Sequence, residues 1–285
     1  MALLSEERLL QFSRFLAFAR LLRPLNLAGI GLAAWAGARL AAREPSVATV
    51  LVPILIGAFG YARNDAVDLA AGPVNRPGRP VPSGAVSALA ASIVAWSALV
   101  AAGVALTTIP HPSGAWVIAL AAAITLYLYS PWLKDRGAVG PLAIAALTFF
   151  AVLWGAYGAP RVGLAALCGL LAAATQFALE CVKQLEDARG DRSAGRTTWV
   201  IRSGKTVVTR AARLGLIAAL LLLPLPVSAG GLASAAYARI AVPCVALALL
   251  VSLAFLGVKK PDYALVSKLI KAALFVGLVV LAWMG

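Results

Sequence analysis

Residues 162–191 read VGLAALCGLLAAATQFALECVKQLEDARGD, an apolar stretch that ends in a dense run of charge. Its first part, over 162–182, is long enough to cross a hydrocarbon core ~30 Å thick, which takes roughly 20 residues in a helix. The remainder places Glu180, Lys183, Gln184, Glu186, Asp187, Arg189 and Asp191 at or just past one end of that span. Apolar runs of similar length recur from end to end, with spans expected near 24–42, 46–63, 86–107, 114–131, 139–157, 162–182, 206–228, 234–256 and 263–284. Lipid offers no hydrogen bonds to exposed backbone, so such runs must be helices, and the alternation of a barrel strand is absent. The expected fold is all-α: a polytopic bundle of nine transmembrane helices forming a single membrane domain over 1–285.

The stretch before the first span, 1–23, mixes Glu6, Glu7, Arg8, Arg14 and Arg20 with Leu and Phe and has no small-residue cleavage site. It reads as an amphipathic segment at the membrane surface rather than a signal peptide. Cys168, Cys181 and Cys244 lie in or beside apolar runs at unrelated spacings, as packing residues do.

A net charge of +14 would suggest nucleic acid in a water-soluble chain, but its distribution argues against that here. With the N-terminus cytoplasmic, 21 of the 25 basic residues fall on or beside inside segments, leaving only Arg39, Arg43, Arg161 and Arg239 elsewhere. This is the positive-inside bias, and it orients the chain. Ten of the 11 acidic residues lie on the same side, and that rule does not ask for carboxylates. Six of them gather in two segments, 64–85 and 183–205 with the adjoining Glu180, which are expected to be cytoplasmic loops.

These segments read as diverged copies of one pattern. The first is Asn64-Asp65-Ala66-Val67-Asp68, continuing to Gly72 and then Asn75-Arg76-Pro77 and Arg79-Pro80. The second is Lys183-Gln184-Leu185-Glu186-Asp187-Ala188-Arg189-Gly190-Asp191, followed by Arg192 and Arg196. Offsets of three and four put the oxygen-bearing side chains of each copy on one helix face. Two facing carboxylate sets suit a hard divalent cation such as Mg2+, which keeps few protein ligands and bridges to phosphates. Arg76, Lys134, Lys183 and Arg189 offer charge to a diphosphate. The plainer alternative is solvated loop charge in surface ion pairs; its appearance twice, at corresponding helix ends, argues for a site.

On these residues the chain resembles the UbiA superfamily of intramembrane prenyltransferases, and most closely its members that prenylate geranylgeranylglyceryl phosphate. The carrying features are Asn64-Asp65-x-x-Asp68 with the tail Asn75-Arg76-Pro77-Gly78-Arg79-Pro80, and Lys183-x-x-Glu186-Asp187-x-x-Gly190-Asp191 with its tail to Thr198. Arg23-Pro24-Leu25-Asn26 and Tyr129-Ser130-Pro131-Trp132-Leu133-Lys134 add weaker matches. The resemblance implies a nine-helix bundle with Asn64, Asp68, Asp187 and Asp191 as Mg2+ ligands and Asp65, Gln184 and Glu186 as accessory groups. It implies Arg23, Arg76, Lys134, Lys183 and Arg189 around the diphosphate, and Asn26, Tyr61 and Tyr129 beside the substrate. Three positions depart from the family pattern: Gly72 and Gln184 replace aspartates, and Pro141 stands where Asn is common.

The activity implied is Mg2+-dependent transfer of a prenyl group from a prenyl diphosphate to a lipid or aromatic acceptor. A UbiA-type terpene cyclase is the second reading, and a transporter the third. A transporter's charges belong near the bilayer midplane, whereas these stand at helix ends. The Pro- and Gly-rich stretch from Gly72 to Gly84 reads either as a lid over the site or as a connector. His111 is expected in a far-side loop without a catalytic role, and the seven tryptophans are expected in packing or at the interface.

Overall fold

A computed structural model describes residues 2–69, 72–109, 113–159, 162–228, 239 and 242–284. Among them the chain is helical throughout, with no strand: α1 (Ala2–Leu22), α2 (Pro24–Leu40), α3 (Val47–Val67), α4 (Gly72–Asn75), α5 (Ala88–Leu106), α6 (Ser113–Tyr129), α7 (Val139–Gly155), α8 (Val162–Ser193), α9 (Trp199–Ser203), α10 (Lys205–Leu222), α11 (Leu225–Ser228), α12 (Val242–Phe255) and α13 (Tyr263–Met284). The one pairing of extended backbone is an isolated bridge between Gly137 and Thr198. Among the described residues five helices are long and apolar enough to cross a membrane: α3, α5, α8, the run Lys205–Val227 and α13. A sixth arises if the bent pair of α1 and α2 counts as one, and α6, α7 and α12 are shorter apolar helices.

Small residues set how closely these helices approach. A Cβ on Gly37 would stand 1.8 Å from the Val152 carbonyl oxygen, and one on Gly155 1.8 Å from that of Ala34. α2 and α7 therefore meet backbone to backbone, which suits association in lipid, where packing rather than hydrophobicity holds helices together. Around this contact Ala33, Ala36, Val152, Ala165 and Cys168 form one buried cluster, shared with Leu278 and Leu281 of α13. A second joins α8, α10, α12 and α13 through Leu179, Val208, Leu216, Leu249 and Ile270. Trp154 donates its indole N–H to the Thr49 carbonyl at 2.9 Å, tying α7 to α3.

Two expectations need correction. Residues 183–205 are not a loop: α8 runs on to Ser193, because nothing in Lys183–Arg189 breaks a helix, and α9 follows at Trp199. Residues 64–85 are partly helical too, since α3 reaches Val67 and α4 covers Gly72–Asn75. The second half of α1 buries Ala17 and Leu21 with Phe59 and Ala62 of α3, then bends by 43° into α2. The residue at the bend is Arg23, in the left-handed region at φ 53°. Cys168 and Cys181 are buried as expected, whereas Cys244 is exposed; all three are free thiols. His111 and Arg161 lie outside the described residues.

Candidate active site

Two helix ends bring the carboxylates together. α3 carries Asn64 and Asp65 in its last turn and Asp68 at its C-terminal cap, where the Asp68 N–H donates to the Asn64 carbonyl at 2.9 Å. α8 carries Gln184, Asp187 and Asp191 in its last turns, and their spacing keeps them on one face.

Each motif is held by the chain that follows the other. Downstream of the first motif, Arg76 pairs with Glu186 at 2.8 Å and Asp187 at 3.1 Å. Asn75 donates its amide to Asp191 at 3.2 Å and accepts from the Gly190 N–H at 2.9 Å. Gly190 is required for this approach, since a Cβ there would lie 2.1 Å from Asn75 Oδ1. Downstream of the second motif, Arg196 pairs with Asp68, reaches Asp135 at 3.3 Å and donates to the Ser130 carbonyl at 2.6 Å.

Lys134 lies between the two sets. Its ammonium is 2.8 Å from Asp68 Oδ2, and its charge also acts on Asp187 and Asp191. The Ser130 hydroxyl donates to Asn64 Oδ1 at 2.6 Å. Asp65, 3% exposed, pairs with Arg23 and with Arg79 at 3.5 Å. Buried ions of this kind must be paired to be tolerated, and breaking a pair is strongly destabilising. The loop arginines differ in their compensation. Burial draws Arg79 down, and the charges of Arg23 and Arg76 add to that effect. Arg76 and Arg196 are desolvated as well, but Asp187 with Glu186, and Asp68 with Asp135, outweigh it and hold their affinity for protons above the ordinary value.

The remaining sequence candidates divide. Tyr61 lies under the Arg23 guanidinium, 4.8 Å from ring centre to Cζ, and takes part in a hydrogen bond with the Asn26 side chain. Tyr129 lies in the field of Glu180, Asp68, Arg196 and Asp191. Lys183 pairs with Glu180 at 2.7 Å rather than with an aspartate of its own motif. Gln184 is 7% exposed and neither amide atom has a hydrogen-bond partner. Arg189 is exposed and makes no ion pair among those found in the described residues. Tyr127 is turned outward, under Arg63 at 3.8 Å and beside Trp96. Asn75, Arg79, Ser130, Asp135 and Arg196 have no role in the sequence reading, although all but Asp135 stand in the stretches that carry the motif resemblance.

The donor set fits a hard divalent cation. Asn64, Asp68, Asp187 and Asp191 offer oxygens only, and Asp191 Oδ2 is buried without a partner. Among the described residues no three acidic, histidine or cysteine side chains gather closely enough to hold an ion unaided. Mg2+ dehydrates reluctantly and would take the rest of its coordination from water and phosphate.

The chain is thus a bundle of apolar helices with paired aspartate motifs at one end. The chain belongs to the UbiA prenyltransferase family, whose pattern it matches over residues 25–282. It is 34% identical over 266 residues to a digeranylgeranylglyceryl phosphate synthase of Methanopyrus kandleri, covering 92% of this chain and 96% of that one. A solved structure concerned with digeranylgeranylglyceryl phosphate synthase in membranes superposes with a TM-score of 0.68 at 24% identity, covering 95% of this chain and 98% of the other. A UbiA homologue from Archaeoglobus fulgidus, bound to GPP and Mg2+, superposes with a TM-score of 0.65 at 17% identity over 94% of this chain and 99% of that one. At these identities the two structures establish the fold.

Proposed function

We propose that the chain transfers a prenyl group from a prenyl diphosphate to the hydroxyl of a glyceryl phosphate lipid, using Mg2+ held between the two aspartate motifs. The observation that carries this is the exchange of partners between the two motifs: Arg196, beyond the second, and Lys134 pair with Asp68 of the first, while Arg76 and Asn75, beyond the first, reach Asp187 and Asp191 of the second. The nature of the relatives favours transfer to a phosphorylated lipid over cyclisation. The placement of the charge at helix ends speaks against transport.

Asn64, Asp68, Asp187 and Asp191 are the proposed metal-holding residues, with Asp65, Gln184 and Glu186 in support. When bound, Mg2+ supplies charge neutralisation to a diphosphate leaving group. Arg76 and Lys134 add positive charge at the same place, so the allylic carbon–oxygen bond breaks toward a preorganised site. A new bond then forms from the acceptor hydroxyl oxygen to the allylic carbon, and the hydroxyl proton is released. Tyr61 and Tyr129 present ring faces near the point where the carbocation develops. The 72–84 segment, latched to α8 through Asn75 and Arg76, shields that cation from water.

The bent α1–α2 pair, the five long helices and the three shorter ones support nine spans, with the N-terminus and the site cytoplasmic and Gly285 on the far side. The bias of basic residues supports that orientation, and reporter fusions placing both termini on one side would overturn it. Release of diphosphate from geranylgeranyl diphosphate by the purified protein tests the chemistry. The expected result is release that requires both Mg2+ and a glyceryl phosphate acceptor and stops with excess chelator. Undiminished release in chelator would contradict the metal's part.

A further inference from the structure

The connectors that meet at the bridge between Gly137 and Thr198 also border a cavity lined by none of the motif aspartates. Its volume is about 530 Å³, and Pro131, Trp132, Asp135, Arg136 and Arg202 line it. The first connector leaves α6 through Pro131, which has no N–H to continue the helix, and closes a 3-10 turn over Leu133–Asp135. Gly137 then takes φ 64°, which a glycine adopts without strain, and sets Arg136 beside the bridge. On the second connector the Arg202 N–H donates to the Thr198 carbonyl at 3.0 Å, so Arg202 stands one turn of α9 beyond the same bridge. Each connector thus brings one arginine to the cavity.

The charge of these arginines is not compensated. Asp135, the one carboxylate in the lining, is engaged by Arg196 at 3.3 Å. Neither Arg136 nor Arg202 has an ion pair or a side-chain hydrogen bond among the described residues, whereas Arg76, Arg79, Lys134 and Arg196 each touch a carboxylate. The positive-inside bias accounts for arginines on this face, but not for two of them lining one concavity. Such a wall calls for an anion, and the planar guanidinium fork suits phosphate. The depth of the cavity points to a lipid. Trp132, 60% exposed, lines it, and an indole favours the headgroup layer. Just past Arg136, Val139 and Leu142 of α7 are exposed, and just past Arg202, Val207 and Leu214 of α10 are exposed. The two arginines therefore stand at the rim of the hydrocarbon, where lipid phosphates lie.

We propose that this cavity seats the headgroup of an anionic membrane lipid, with Arg136 and Arg202 on its phosphate and Trp132 beside its glycerol. The bound lipid is a structural ligand and not a substrate. Arg196 already ties the two connectors through Asp135 and the Ser130 carbonyl, and the headgroup adds a second tie between them. The site stands apart from the prenyl-transfer reading and does not depend on it.

The test places wild type, Arg136→Gln/Arg202→Gln and Arg210→Gln/Arg213→Gln in nanodiscs of phosphatidylcholine with and without phosphatidylglycerol. Arg210 and Arg213 are exposed on α10 outside the cavity, so the third protein loses the same charge elsewhere. Native mass spectrometry then counts the lipids each protein retains. Wild type should retain phosphatidylglycerol in preference to phosphatidylcholine. The cavity variant should lose roughly thirtyfold of that preference, about fivefold for each arginine removed singly, the worth of a basic side chain at an anionic surface. The control should keep most of it. No preference in wild type, or equal losses in the two double variants, would overturn the site, the second by reducing it to diffuse surface charge. Thermal unfolding gives an independent reading, because a ligand that binds only the folded chain raises its Tm. Phosphatidylglycerol should raise the Tm of wild type and control but not of the cavity variant, and an equal rise in all three would contradict the proposal. Inorganic phosphate and glycerol 1-phosphate serve as soluble probes in phosphatidylcholine alone. Stabilisation of wild type by either as large as that given by the lipid would assign the cavity to a free anion and overturn the lipid.

Discussion

Asp68 and Asp191 are both aspartates of the paired motifs, yet they are held in opposite ways. Asp68 caps a helix and is gripped by two cations, Lys134 and Arg196. Asp191 lies within a continuous helix, is bonded by the neutral amide of Asn75, and keeps one buried oxygen without a partner. A residue at a helix end gains little from helical periodicity, so distant side chains must fix it. One inside a helix is placed by the backbone and needs only a light restraint. Asp68 is thus compensated by the protein, while Asp191 retains an oxygen for an added cation. The two are joined by an exchange in which the chain after each motif secures the other.

The largest effects should come from removing the carboxylates. Asp68→Ala and Asp187→Ala should each lower kcat by roughly 1000-fold, the upper range for deleting one preorganised electrostatic group, with elution as a folded species from size exclusion. Near-wild-type turnover in either would mean that the motif does not serve the reaction. Next come the exchanged arginines. Arg76→Ala and Arg196→Ala should each cost on the order of 100-fold in kcat/KM, and Arg196→Lys should recover only part of it, because a lysine cannot reproduce the fork that spans Asp68, Asp135 and the Ser130 carbonyl. Full recovery would reduce Arg196 to a point charge.

A smaller effect should follow Gly190→Ala. The new methyl would meet Asn75 Oδ1, so the Asn75–Asp191 bridge must loosen, and the half-saturating Mg2+ concentration should rise about tenfold, the range seen for groups that orient a metal ligand. An unchanged metal titration would show that Asn75 does not position Asp191. The smallest effect should come from Gly72→Asp combined with Gln184→Asp. Restoring one carboxylate in each motif should tighten Mg2+ dependence about threefold, less than the change expected on losing an orienting group. No change would place these positions outside the site.

Much of this was legible in the sequence because membrane helices declare themselves by length and apolarity. α13 covers 263–284 as expected, and α2, α3 and α7 begin within a residue of their expected starts. α8 extends eleven residues past its expected end at 182, because charge marks the end of the apolar part and not of the helix. The acidic residues were found through their local spacing. Their partners were not, since Asn75 and Asp191 are 116 positions apart and Arg196 and Asp68 are 128 apart. Such pairs follow from tertiary packing.

The central claim is that paired motifs and Mg2+ move a prenyl group onto a separate lipid. It is tested most directly by mass spectrometry of the products formed from geranylgeranyl diphosphate and geranylgeranylglyceryl phosphate with Mg2+. The account predicts one product, the acceptor plus one geranylgeranyl group less a hydrogen, with diphosphate released in equal amount and neither formed in Asp187→Ala. A cyclic hydrocarbon formed equally well without the acceptor, or an unaltered pair of substrates, would contradict it.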